Sequence, residues 1–329
     1  MNARHPEVPV PAAPAGDPCP DAVAPGAAAL HEIADGVFAW VQPDGSWWIN
    51  NAGAVSAGDG TIVVDTCATE ARTRRFLAAL AAATGDRPLR LAVNTHQHGD
   101  HTYGNSLLPD TTVIVGHERM REALLADPLI EGCPPIWEPV PDWGRVTRRV
   151  PTVALRSDLT LYAGDRRVEL RHPGEPAHTP GDVVAWVPDA RVLFAGDLVF
   201  HGITPLVFMG SLDGALRSLD WLAAFGADRV VPGHGPLVAG ADLPAVLADH
   251  ERYYRVVLAA AEAGTRDGLT PLQAAQRCDL GDMADWPDGE RLVANLHRAY
   301  ADRAGVALDV GQTFADVLAY HGGPMRCCA

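Results

Sequence analysis

A chain of 329 residues is long enough for one large domain or two modest ones, and 47% hydrophobic with 20% charged residues is ordinary for a globular fold. With 41 acidic against 26 basic side chains the net charge is −15, a surface that repels phosphate backbones and argues against nucleic acid as the main partner. No run of apolar residues is long enough to span a bilayer, so no membrane partner is expected.

Residues 1–30 are rich in Pro and Ala without a period and read as a disordered or strap-like leader. Pro6, Pro9, Pro11, Pro14 and Pro18 break up any signal-peptide core. Six cysteines (Cys19, Cys67, Cys133, Cys278, Cys327 and Cys328) form no C-x-x-C pair and read as free thiols in a reducing compartment. A cytoplasmic location is the expectation that follows. The end at Cys327–Cys328 reads as a mobile tail.

From His31 the pattern changes. Gly36–Gln42 and Trp47–Val55 read as a hairpin around Pro43–Asp44–Gly45. Adjacent strand residues face opposite sides, so one of Trp47 and Trp48 is expected to face out or towards a cleft. A strand at 61–65 ends in Asp65, which either caps a helix over 68–83 or supports a metal ligand from behind. Strands at 90–94 and 111–115 and a helix at 117–125 continue a β-α-β rhythm, with His117 opening the helix. Residues 126–150 are rich in proline and lack a period, as in a substrate-covering lid. Strands resume at 159–163, 167–171, 183–187, 191–195 and 229–231, with a helix at 212–225 capped by Ser211. After Leu243 the chain reads as helices, roughly 243–263, 271–277, 290–303 and 312–320. The expected organisation is an α/β catalytic domain over 31–242 and a helical extension over 243–329 packed on it.

The chemistry concentrates in residues 94–105, NTHQHGDHTYGN. His96, His98, Asp100 and His101 are ligand types that suit zinc and other borderline divalent metals. His96 and His98, two apart, point to the same side of an extended chain, and Gly99 frees the backbone to aim Asp100 and His101 elsewhere. The arrangement suits two metals side by side. Three more candidates stand in loops or at strand ends: His178 in AHTPGD, Asp197 in FAGD and His234 in VPGHG.

These residues resemble the signature of the metallo-β-lactamase-fold hydrolases, T-H-x-H-x-D-H followed by separate His, Asp and His, over about residues 33–240. The resemblance implies a four-layer αβ/βα sandwich with metals between the tops of two sheets. It implies two zinc ions per chain, one held by His96, His98 and His178 and the other by Asp100, His101 and His234. Asp197 would bridge them, and Asp65 would support a ligand from behind. The segments 196–211, 270–275 and 291–299 are also similar to aromatic polyketide cyclases of bacterial type II pathways. That likeness implies ring closure of a carrier-bound polyketide, then thioester cleavage, with an acyl-thioester or other small-molecule substrate and an acyl carrier protein as partner. A metal pair would lower the pKa of a shared water to about 7, with Asp100 as proton shuttle. His201 is a candidate catalytic contact, and Trp47, Trp48, Phe200 and Phe208 are candidate walls for a flat ring system. No G-x-S-x-G serine elbow occurs. The competing readings are another dinuclear zinc hydrolase (lactonase, thioester hydrolase or β-lactamase-like) and a mononuclear iron oxygenase on the same fold. The helical extension either covers the site or forms a homodimer face.

Overall fold

The computed structural model describes residues 27–42, 44–85 and 87–329. Most of the proposed leader therefore lies outside the described residues. In chain order the strands are β1 (Ala29–Ala34), β2 (Val37–Val41), β3 (Ala52–Ala57), β4 (Gly60–Val64), β5 (Leu89–Val93), β6 (Val113–His117), β7 (Trp137–Glu138), β8 (Val153–Leu155), β9 (Leu159–Ala163), β10 (Arg166–Arg171), β11 (Val184–Val187), β12 (Val192–Phe200), β13 (Arg229–His234), β14 (Val238–Ala239) and β15 (Met325–Arg326). The helices are α1 (Glu70–Thr84), α2 (Gly99–Thr102), α3 (Glu118–Ala126), α4 (Leu212–Ala223), α5 (Leu243–Arg266), α6 (Pro271–Arg277), α7 (Arg291–Ala304) and α8 (Val310–His321).

Two mixed sheets form the centre. One runs β1-β2-β3-β4-β5-β6-β8 and the other β14-β13-β12-β11-β10-β9. Their inner faces meet in a layer of Val37, Val55, Ile62, Val93, Val168 and Phe194 with their neighbours. Phe76 and Leu80 of α1 pack against Phe38, Trp40 and Ile114 on the outer face of the first sheet. Leu219 and Leu222 of α4 join Val257 of α5 and Leu292 of α7 in the core that contains Trp186, Leu193 and Val230 of the second sheet. The order helix, sheet, sheet, helix is the four-layer α/β sandwich expected from the sequence.

Local signals set the helix ends. Thr69 caps α1 by accepting from Arg72 N, and Gly85 closes it at φ 65, a conformation that favours glycine. Asp65 therefore does not cap this helix. Ser211 caps α4, and His117 caps α3 with its ring accepting from Arg119 N.

Five expectations need correction. Ala29 and Leu30, assigned to the leader, belong to β1 and pair with Val41 and Trp40. The hairpin partner of β2 begins at Ala52, so Trp47 and Trp48 sit in the connecting loop and strand alternation does not apply to them. Both are buried, and Trp48 adopts φ 67. Segment 126–150 is pinned: Trp137 and Trp143 are buried, Trp143 Nε1 donates to Leu129 O, and β7 pairs with β15. The C-terminus is likewise held, because Arg72 donates to Cys328 O at 2.5 Å and Cys327 is 1% exposed. Cys328 is in a disulfide, so the all-thiol argument for a reducing compartment does not hold. Among the described residues no helix is long and apolar enough to cross a membrane.

Candidate metal centre

The ligand-bearing loops leave the same edge of the two sheets. β5 ends at Val93, and Asn94 begins the 94–101 loop with its side chain donating to His101 O. Thr66 N also donates to His101 O, which ties the loop to the end of β4. Gly99 opens α2 where a side chain would meet the Tyr103 ring. On the second sheet β12 and β13 run parallel, and their register shifts on both sides of Gly196. Such bulges re-aim side chains, and here the shift lies beside Asp197. Gly233 is required opposite, since a Cβ there would collide with Asp197 Oδ1.

Seven side chains converge. One ligand atom from each of His96, His98, His178 and Asp197 lies within 4.8 Å of the others, and the same holds for Asp100, His101 and His234. Asp197 touches both groups. Its Oδ2 is 3.7 Å from His96 Nε2, 3.4 Å from His178 Nε2 and 3.3 Å from His234 Nε2, and its Oδ1 is 3.1 Å from His101 Nε2.

The outer nitrogens of four rings are engaged, which fixes what the inner ones offer. His178 Nδ1 donates to Leu206 O at 2.6 Å, and His234 Nδ1 lies 2.8 Å from Gly45 O and 2.9 Å from Ile49 O. His101 Nδ1 lies 2.8 Å from Asp65 Oδ2, and His96 Nδ1 lies 3.0 Å from Thr95 Oγ1. His98 is reversed: its Nδ1 points inward, 3.1 Å from His96 Nε2 and 2.9 Å from His178 Nε2. Asp65, at φ 59, also accepts from Thr95 N and Thr95 Oγ1, both at 2.7 Å. One carboxylate thus holds a ligand ring and the start of the ligand loop.

This donor set fits metal. His101 Nε2 and Asp197 Oδ1 are buried and have no hydrogen-bond partner among the described residues. Buried polar atoms are rarely left so, and a cation between them would satisfy both. Without a cation the two groups hold protons differently. Burial pushes the imidazoles of His96, His98 and His178 down, His178 to about 3. Burial acts the same way on His101 and His234, but Asp197 and Asp100 outweigh it and raise both, His234 to about 9. The Asp197 carboxyl, which burial alone would raise, is held well below its usual range by His234, His101, His96 and His178.

The proposed wall residues divide. Phe208 stacks on His98 with centroids 5.9 Å apart and planes at 16°, and Phe200 stacks on His234 at 5.3 Å and 8°. Trp48 packs against Tyr103, Trp137 and Trp143 in the core. Trp47 donates to Glu290 Oε1 and lies under the Arg291 guanidinium, which also covers Phe200. The His201 ring is outside both ligand groups. Its Nδ1 bonds Pro236 O, and it lines a cavity of about 280 Å³ with Phe200, Ile203, Val246, His250 and Trp286. Phe314 of α8, 5.7 Å from Phe208 and 6.5 Å from Trp47, extends the aromatic surface and was not picked out from the sequence. Its spacing marks only a helix face.

A sequence profile described as the metallo-beta-lactamase superfamily matches residues 45–234. The chain belongs to this superfamily. Among curated relatives, a linear primary-alkylsulfatase of Pseudomonas sp. is 28% identical over 56% of this chain and 41% of its own length. An acyl-coenzyme A thioesterase of Bos taurus is 30% identical over 45% of this chain and 56% of its own, and a hydroxyacylglutathione hydrolase of Halorhodospira halophila is 31% identical over 62% and 63%. The chain thus spans roughly half the length of the first curated relatives it matches. In fold, a metallo-beta-lactamase from Pontibacter korlensis superposes with a TM-score of 0.56 at 19% identity, covering 69% of this chain and 99% of that one. A sec-alkylsulfatase from Pseudomonas sp. superposes with a TM-score of 0.67 at 17% identity, covering 87% of this chain and 51% of that one. The chain is therefore a metallo-β-lactamase-superfamily domain whose two His/Asp groups could hold metal.

Proposed function

We propose that the protein is a dinuclear zinc hydrolase that cleaves an acyl thioester. The observation that carries the reading is Asp197, whose carboxylate lies within 3.1–3.7 Å of imidazole nitrogens from both ligand groups. His96, His98 and His178 would hold one zinc, Asp100, His101 and His234 the other, with Asp197 shared. Bound there, zinc supplies a water of pKa about 7 and draws charge from a carbonyl oxygen. Asp100 Oδ2, 3.1 Å from His234 Nε2, is the carboxylate that takes the proton as water attacks. Phe200 and Phe208 exclude bulk water from the imidazole faces they cover. A thiolate departs without needing the proton that Asp100 takes up, so thioester cleavage asks no further acid of the site.

The relative named as an acyl-coenzyme A thioesterase supports this substrate class. The narrower form of the proposal, an aromatic polyketide cyclase and thioesterase acting on a carrier-bound chain, rests on the likeness of segments 196–211, 270–275 and 291–299. A second reading, sulfate-ester hydrolysis, is favoured by the 28% identity to a linear primary-alkylsulfatase. The test is a turnover assay of zinc-loaded protein on acyl-coenzyme A, an aromatic acyl-pantetheine thioester, a lactone and a primary alkyl sulfate. Thioester cleavage that Asp197→Ala abolishes is the expected result. Alkyl sulfate cleavage without thioester cleavage moves the assignment to a sulfatase.

A further inference from the structure

We infer that Asn295, in the C-terminal helix α7, is a positioning residue for the first ligand group and acts through the carbonyl of Leu206. The inference rests on the metal-centre reading above and extends the site into the helical extension. Asn295 is fully buried, and its amide grips the chain on both sides of Leu206. Val207 N donates to Asn295 Oδ1 at 2.6 Å, and Asn295 Nδ2 donates to Pro205 O at 2.8 Å. Between these two bonds the Leu206 carbonyl accepts from His178 Nδ1 at 2.6 Å. That bond keeps the proton on Nδ1, so the lone pair of Nε2 faces His98 Nδ1 at 2.9 Å and Asp197 Oδ2 at 3.4 Å.

The grip continues one helical turn earlier. Arg291, four residues before Asn295 and so on the same face of α7, donates to Thr204 O at 2.9 Å. Thr204 N donates to Pro287 O, just before the helix. Segment 204–207 has no regular secondary structure of its own. Five of its peptide groups are instead satisfied by α7, by the chain leading into α7 and by one imidazole. Tyr253 OH, 2.9 Å from Asn295 Nδ2, fixes the amide orientation from α5. The second ligand group does not hang on Asn295: His101 is held by Asp65 and His234 by the carbonyls of Gly45 and Ile49, and α7 meets that side through Glu290 and Arg291 instead.

The asymmetry supplies the test. Metal-free wild type, Asn295→Ala, Asn295→Ser and Asp65→Asn are titrated with zinc against a chromophoric chelator, which gives two macroscopic dissociation constants. Circular dichroism monitors the fold, and ¹⁵N NMR reports the His178 tautomer in the metal-free chain. Removing an outer partner of a metal-ligating histidine typically costs 10–100-fold in metal affinity. The expected result is a loss of that order in one equivalent only for both Asn295 variants, in a folded protein whose His178 no longer keeps its proton on Nδ1. Asp65→Asn weakens the other equivalent and so assigns the two. Equal weakening of both equivalents, no weakening, or loss of the fold in both Asn295 variants makes Asn295 a core residue and overturns the inference. A wild-type chain that takes up fewer than two equivalents overturns the metal-centre reading first, and this inference with it.

Discussion

The two ligand groups share a carboxylate but differ in composition and support. The first has three imidazoles, all pushed down by burial and hence neutral near pH 7. The second has one carboxylate and two imidazoles that the surrounding carboxylates hold protonated in the metal-free chain. The first group depends on α7 near the C-terminus through Leu206. The second depends on Asp65 at the end of β4 and on the 45–49 loop near the N-terminus. Ligand identity is thus local in sequence, whereas ligand orientation is drawn from both ends of the chain.

Asp197→Ala removes the one feature common to both groups and carries the largest expected effect. Metal analysis should show loss of both zinc equivalents, and hydrolysis should fall to background. A variant that keeps one full equivalent would mean that the groups are independent.

Asp65→Asn should act on one side. It weakens the hold on His101 Nδ1 and on Thr95, and a 10–100-fold loss of affinity confined to the second equivalent is expected. An equal loss in both equivalents would show that Thr95 carries the effect into His96 through its 3.0 Å contact.

The protonation difference predicts a smaller, graded effect. Metal binding must displace protons from ligands that hold them. His234, raised to about 9, is protonated at pH 7 and must release a proton, whereas His178, lowered to about 3, has none to release above about pH 4. Raising the pH from about 6 to 8 should therefore strengthen the second equivalent about tenfold per unit for each proton displaced, and leave the first nearly flat. Parallel slopes in a pH series of chelator competitions would contradict the assignment.

How much of this was legible in the sequence follows from the same contrast. The seven candidate ligand positions, which the fold brings together, stood out because His and Asp at tight spacing, or beside glycine at strand ends, have no packing rationale. The strands and helices followed from hydrophobic period and caps such as Ser211. Of the partners that orient the ligands, Asp65 stood out at its strand end, but three others were hidden for a physical reason: they are backbone carbonyls, at Gly45, Ile49 and Leu206, which any residue supplies. Asn295 looked like an ordinary polar residue within a helix. Trp47 and Trp48 were misread because strand alternation was applied to a loop, where Trp48 takes a positive φ among aromatic neighbours. Cys328 was misread because no sequence rule pairs a cysteine at the chain end.

The most direct measurement is the metal content of wild-type protein purified without added metal. The account predicts two zinc ions per chain. One iron per chain, with oxygen uptake and no hydrolysis, would contradict it.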